Sequence, residues 1–147
     1  MIKVLVSACL LGQRVRYDGG SISCRSSVLD QWQTQGRLVP FCPEVAAGFP
    51  VPRPPAEIAG GDGQSVLAGR ACVVDHAGRD VTTGFLAGAR AAAEAARRSE
   101  IRLAILKDAS PSCGSTWIHD GTFSGRLRAG LGVTAACLLA QGLHVFS

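Results

Sequence analysis

The stretch RLAILKDASPSCG, residues 102–114, contains an apolar run that is followed at once by a polar loop. The apolar run is continuous rather than alternating, which is typical of a strand buried on both faces of a parallel sheet. The loop places Cys113 between Ser-Pro-Ser and a glycine, where neither a helix nor a strand continues easily. The stretch therefore predicts a core strand whose carboxyl end carries a thiol.

Two further apolar runs have a cysteine shortly after them. Residues 2–7 precede Cys9, and residues 38–41 precede Cys42. Because ligands of open α/β sheets bind outside the carboxyl ends of the strands, we expect these two cysteines and Cys113 to converge on one site.

The other three cysteines have different surroundings. Cys72 lies within an apolar strand and Cys137 within an apolar helix, so both are expected to be small core residues. Cys24, in SISCRSS, is expected at the surface or at the start of a helix.

The rest of the chain alternates strands with helices. Helices are predicted over residues 26–35, 84–100 and 130–142, and strands over residues 71–75 and 143–147. Because six of the seven prolines lie between Pro40 and Pro55, the segment 43–58 is predicted to be an extended, stiff loop. The alternation predicts one α/β domain over residues 1–147, an open, mostly parallel, Rossmann-like sheet with helices on both faces.

Composition excludes several classes of protein. Hydrophobic residues make up 47% of the 147 residues and charged ones 18%, which is typical of a folded domain. A net charge of +4 with 5% aromatic residues and no basic stripe argues against a dedicated nucleic-acid-binding module. The apolar run before Cys9 is too short for a signal peptide, and no run approaches the roughly 20 residues of a membrane span. We expect a cytoplasmic protein without a membrane partner, whose six cysteines do not form a disulfide framework.

Three thiols at one site suit more than one kind of chemistry. Structural zinc sites usually take four ligands that include a C-x₂₋₄-C pair, and this chain has no such pair. A three-ligand zinc site and an iron–sulfur cluster with one open iron are both chemically reasonable, and the spacing does not separate them. A zinc-dependent nucleobase hydrolase or deaminase, a non-enzymatic cluster or sulfide carrier, and an enzyme with a cysteine nucleophile are therefore alternatives.

Charged residues in the loops are candidates for contact with a substrate. Arg14, Arg16 and Arg53 are candidates for the mouth of the site, although most exposed arginines are simply solvated. Asp18 and Asp120 both stand before a glycine and suit turns, and Asp18 is the stronger candidate for a substrate contact.

Five segments resemble those of a known family, and they occur in the same order from one end of the chain to the other. They are VSACLLGQRVRYDGG (6–20), FCPEVAAGFPVPRPPAEI (41–58), DVTTGFLAGA (80–89), LKDASPSCGSTWIHDGTFSG (106–125) and GVTAACLLAQG (132–142). In these segments the chain resembles the thiouracil desulfidases, small proteins long catalogued as a domain of unknown function.

The resemblance implies a cytoplasmic enzyme with a [4Fe–4S] cluster. Its three cysteine ligands would be Cys9, Cys42 and Cys113, and the fourth iron would be open to the sulfur of the substrate. The implied reaction is non-redox removal of sulfur from 2-thiouracil or a related thiolated nucleobase, giving uracil and sulfide.

The resemblance also implies catalytic residues. The acid/base glutamate of the family falls on Glu44 of CPE, and its active-site serine falls on Ser110 of SPSCG, with Ser112 as the second candidate. His119 stands where the family pattern has a tyrosine, a departure that concerns the substrate pocket. Larger relatives carry a further domain associated with thiolated RNA, which the resemblance here does not include. We therefore expect a free base or nucleoside as substrate, and a monomer or weak dimer.

Overall fold

The computed structural model describes residues 2–20 and 26–147, so the expectation for Cys24 lies outside the described residues. The strands are β1 (Val4–Ser7), β2 (Leu38–Phe41), β3 (Ala56–Ala59), β4 (Cys72–Asp75), β5 (Leu103–Ile105), β6 (Trp117–His119), β7 (Leu127–Ala129) and β8 (His144–Phe146). The helices are α1 (Ser27–Thr34), α2 (Pro43–Ala46), α3 (Gly63–Leu67), α4 (Thr82–Arg98) and α5 (Val133–Ala140), and a 3₁₀ helix spans Ala8–Leu10. None of the helices in these two ranges is both long and apolar enough to cross a bilayer.

Four parallel strands form the central sheet, in the order β2-β1-β5-β8. Val4 of β1 stands opposite Leu38 of β2 on one side and Leu103 of β5 on the other. All four residues of β1 are buried, as its unbroken apolar sequence predicts. The direction in which strands are added reverses between β1 and β5, which makes their carboxyl ends the switch point where open α/β sheets bind ligands. The predicted parallel α/β fold is confirmed.

Helices cover both faces of this sheet, as predicted. On one face, the alanine-rich side of α4 and the apolar α5 pack against the strands, with Ala92, Ala104 and Leu138 all fully buried. Small alanine side chains let a helix approach the sheet closely. On the other face, Val6 of β1 packs in a second cluster with Trp32 of α1.

Two antiparallel ribbons lie outside the central sheet. They are formed by β3 with β4 and by β6 with β7. The predicted strand at 71–75 exists, but it pairs with β3 instead of joining the parallel sheet, and the segment 43–58 contains α2 and part of β3 instead of being a plain loop. Those two predictions were wrong. The physical reason is a further apolar cluster, in which Ile58 and Val73 pack with Phe85 from the N-terminal end of α4.

Candidate active site

A cavity of about 380 Å³ opens at the carboxyl end of the central sheet. Its lining includes the three cysteines that follow strands, namely Cys9, Cys42 and Cys113. Cys9 sits in the 3₁₀ helix directly after β1, and Cys42 is the residue between β2 and α2. The structure therefore brings together the three thiols that the sequence placed at strand ends.

The surroundings of Cys9 and Cys113 favour their protonated thiols. Burial, and then the neighbouring Cys42, raise the pKa of Cys9, while the positive charges of Arg16 and Lys107 act in the opposite direction. Burial raises the pKa of Cys113 to about 12. A bound metal centre would have to displace these protons, so binding would release protons and strengthen as pH rises.

Asp108 fixes the loop that carries Cys113. Its Oδ1 accepts hydrogen bonds from the backbone N–H groups of Ala109, Ser115, Thr116 and Trp117, at 2.9–3.2 Å. Burial opposes ionisation of this carboxyl, but the N–H donors outweigh burial and hold the pKa of Asp108 below its usual range. One carboxylate oxygen thus closes the loop on both sides of the cysteine.

The same loop caps the start of α5. The backbone N–H of Val133 donates to the carbonyl of Pro111 at 2.8 Å, and that of Thr134 donates to the carbonyl of Ser112 at 2.8 Å. The first N–H groups of a helix have no partner within the helix, so the loop satisfies them. A Cβ on Gly132 would lie 2.4 Å from the carbonyl oxygen of Ser112, so this close approach requires a glycine.

The two candidate serines have different positions. Ser110 lines the cavity, and its Oγ accepts the backbone N–H groups of Ser112 and Cys113, both at 3.1 Å. Ser112 is 1% exposed, its Oγ lies 2.8 Å from Oγ1 of Thr134, and it does not line the cavity. Ser110 is therefore the serine whose hydroxyl can meet a bound molecule.

Glu44 and Arg53 form an ion pair in the cavity wall. The Oε2 atom of Glu44 lies 3.0 Å from a terminal nitrogen of Arg53, whose side chain is 5% exposed. Arg53 also donates to the carbonyl oxygens of Val15 at 2.8 Å and Pro50 at 3.2 Å. Arg53, which was predicted to bind substrate, lines the cavity and is paired there with Glu44.

The other two predicted substrate contacts lie outside the cavity lining. Arg14 is exposed. Asp18 is exposed as well. Its Oδ1 accepts the backbone N–H of Gly20 at 2.8 Å, so this carboxylate oxygen stabilises a turn. Arg16 and Tyr17, which lie between them, line the cavity instead.

Sequence reasoning did not single out Glu57, His76, Lys107 or Phe123, all of which line the cavity. His119 lines it as well. Only Glu57 gave a local signal, because an acidic residue in an otherwise apolar strand is unusual. Lys107 follows β5 of the central sheet, whereas His76 and Phe123 are brought to the cavity by the loops beside the two ribbons.

The three cavity cysteines are the kind of donor set that holds an iron–sulfur cluster. Within residues 2–20 and 26–147, no three Cys, His, Asp or Glu side chains are grouped as ligands of one metal ion. The donors are also uniformly soft, since all three candidate ligands are free cysteines.

The family model described as 2-thiouracil desulfurase matches residues 4–147. The chain belongs to this family. The predicted resemblance is thereby confirmed, and the desulfurase family is one of enzymes. The chain is 43% identical over 144 residues to the uncharacterized protein YbbK of Bacillus subtilis (strain 168), covering 98% of this chain and 94% of that protein.

A solved structure supports the same relationship. It is that of TudS, described as a [4Fe-4S]-dependent thiouracil desulfidase, and it matches this desulfurase-family chain with a TM-score of 0.90 and 48% sequence identity. The match covers 100% of this chain and 91% of that chain.

Proposed function

We propose that this desulfurase-family enzyme removes sulfur from 2-thiouracil or a related thiolated nucleobase, using a [4Fe–4S] cluster on Cys9, Cys42 and Cys113. One observation carries the proposal: cysteines from three separate strand ends line one cavity. The cavity volume of about 380 Å³ lies in the range of small-molecule sites. The similarity to TudS over the whole chain supports the same assignment.

The overall reaction is a hydrolysis with no oxidant or reductant. The oxygen of one water becomes the carbonyl oxygen of uracil, the C=S bond breaks, and both protons of the water end on the released sulfide. When bound, the cluster would supply a soft Lewis-acidic iron for the thiocarbonyl sulfur.

Glu44 is the residue to which we assign proton transfer. Arg53 engages its Oε2 at 3.0 Å and holds the side chain in the cavity wall. Oε1 is then the atom that accepts a proton from the attacking water. General-base help of this kind is typically worth about 10²–10⁴-fold in rate.

Ser110 is the residue to which we assign positioning of the substrate or water. Its oxygen already accepts two backbone N–H groups, which fixes Oγ at the cavity surface. The hydroxyl proton remains to be donated to the substrate or to water. Ser112 has its hydroxyl beside Thr134 and supports the fold of the loop.

We also propose a cytoplasmic location and a small-molecule substrate. Free cysteines and an oxygen-sensitive cluster suit a reducing compartment. A cavity of this size takes a free base or nucleoside more readily than a folded nucleic acid.

Anaerobic reconstitution with iron and sulfide tests the proposal. The protein should turn brown, bind about four irons per chain and convert 2-thiouracil to uracil with release of one sulfide. Loss of thiocarbonyl absorbance and chromatography of uracil measure the conversion. Stoichiometric zinc with no iron uptake, or a full cluster with no turnover of any thiolated pyrimidine, would contradict it.

A further inference from the structure

Glu57 is a carboxylate of the cavity wall that the proposed hydrolysis does not use. It lies in β3 and is 8% exposed. Its Oε1 accepts the backbone N–H groups of Gly121 at 3.0 Å and Phe123 at 3.1 Å. Across the described part of the chain, Glu57 takes part in no ion pair, and its Oε2 has no hydrogen-bond partner yet is not sealed within the protein.

This arrangement leaves Oε2, which is accessible, without a donor from the described part of the protein. Glutamate is almost never buried without a partner, because removing a charge from water is costly. The two N–H donors satisfy Oε1 alone, and a carboxylate has room for about four hydrogen bonds. Because Glu57 lines the cavity, the missing donor is one that a bound molecule would bring.

Phe123 supplies a flat apolar surface in the same cavity. Its φ is 56°, a left-handed conformation that bulky residues rarely adopt and that clusters at functional sites. The hydrogen bond from its N–H to Glu57 helps to hold it there. Its ring packs edge-on against His76, with centroids 5.3 Å apart, and both residues line the cavity. An aromatic surface and a carboxylate oxygen in one cavity suit a planar ring that carries an N–H group.

We propose that Glu57 is the residue that recognises the pyrimidine ring of the substrate. Its Oε2 accepts one of the two ring N–H groups that flank the thiocarbonyl carbon, while Phe123 contacts the face of the ring. The inference rests on the proposed function, which supplies the thiolated pyrimidine. It makes Glu57 a specificity-determining residue that selects rings with a free N–H at that position.

Glu57→Gln is the variant that separates recognition from a structural role. The amide keeps one oxygen to accept the N–H groups of Gly121 and Phe123, but it replaces Oε2 with an NH₂ donor. A ring N–H would then meet a donor instead of an acceptor. Glu100→Gln is the matched control, because Glu100 is exposed and does not line the cavity.

Binding of uracil, which carries the same two N–H groups, provides a readout that does not depend on turnover. Calorimetric titration of reconstituted protein should show about 5- to 150-fold weaker uracil binding in Glu57→Gln than in the wild type, and no change in Glu100→Gln. Iron content should be equal in all three proteins. The wild type should also discriminate against either 1-methyl- or 3-methyl-2-thiouracil in kcat/KM, and this discrimination should shrink in Glu57→Gln.

Several outcomes would overturn the inference. Uracil affinity in Glu57→Gln within about twofold of the wild-type value is one, and unchanged discrimination between the methylated bases is another. If Glu57→Gln does not fold, the wild-type protein can be titrated with 1,3-dimethyluracil, which has no ring N–H group. Equal affinity of the wild type for 1,3-dimethyluracil and for uracil would refute N–H recognition. Glu57-dependent uracil binding without desulfuration would refute the proposed reaction and leave the recognition site standing.

Discussion

Replacement of Asp108 by alanine should loosen the loop that presents Cys113. Four backbone N–H groups converge on its Oδ1 at 2.9–3.2 Å, and the substitution leaves all four without their acceptor. A typical hydrogen bond contributes about 0.5–1.5 kcal/mol net, and bonds to charged groups contribute more. Water can replace the acceptor for the exposed Thr116 and Trp117. We therefore expect a loss of about 2–4 kcal/mol in the free energy of unfolding.

Urea unfolding of the protein without its cluster measures this loss, and iron analysis after reconstitution measures its effect on the site. We expect less than half of the wild-type iron content in Asp108→Ala, because a mobile loop no longer presents Cys113 with fixed geometry. Asp120→Asn is the control, since Asp120 accepts the N–H of Thr122 in a local turn and does not line the cavity.

The charge on Asp108 also predicts a pH dependence. Because the folded state lowers its pKa, the carboxylate stabilises the fold above the unfolded pKa of about 3.9, and this contribution is lost as pH falls through the lower folded value. The difference in stability between wild type and Asp108→Ala should therefore be full near neutral pH and shrink in acid. A difference below about 0.5 kcal/mol at pH 7, with wild-type iron content, would refute the role assigned to Asp108.

Further substitutions test the other parts of the site. Alanine in place of any one of the three cavity cysteines should abolish the cluster, whereas Cys137→Ala should keep it. Iron analysis and visible absorbance measure the cluster in each variant. Loss of iron in Cys137→Ala alone would refute the ligand assignment. Glu44→Gln should keep the cluster and uracil binding but lower kcat at least about a hundredfold, so wild-type turnover on fully reconstituted protein would remove its proposed role. Ser110→Ala should lower turnover and cost about 1 kcal/mol of stability, and Ser110→Thr should restore part of both; equal behaviour of the two variants would contradict a role for the hydroxyl.

Local patterns were sufficient for the part of the fold that follows from continuous apolar runs. β1 and β5 were readable because a strand buried on both faces has no polar alternation, and Cys9 and Cys113 followed from the positions where those runs end. The site residues that depend on the same strands were accordingly predicted on the correct side of the sheet.

Contacts between segments that lie far apart along the chain could not be predicted from the sequence. Glu57 meets Gly121 and Phe123 across more than 60 residues of chain, and no local pattern signals that contact. The apolar run at 71–75 looks like a strand of the central sheet, and only its partner β3 and the cluster behind it determine where it pairs. Asp18 was predicted to contact substrate, and its Oδ1 accepts the N–H of Gly20; a carboxylate before a glycine suits either a site or a turn.

The two walls of the cavity come from different parts of the architecture. The residues proposed for the chemistry lie in one wall, and the residues proposed for substrate recognition lie in the other. The proposed cluster ligands and Glu44 leave the carboxyl ends of parallel strands, where a rigid sheet fixes their spacing. The proposed recognition residues, Glu57 and Phe123, belong to a ribbon and a loop outside that sheet. A substitution in the second group can change which ring is accepted without moving the thiolates, because the carboxylate of Glu57 bonds to Gly121 and Phe123 and not to the segments that carry the cysteines. Substrate preference within this fold is therefore expected to vary with the ribbon wall, while the chemistry stays with the strand ends.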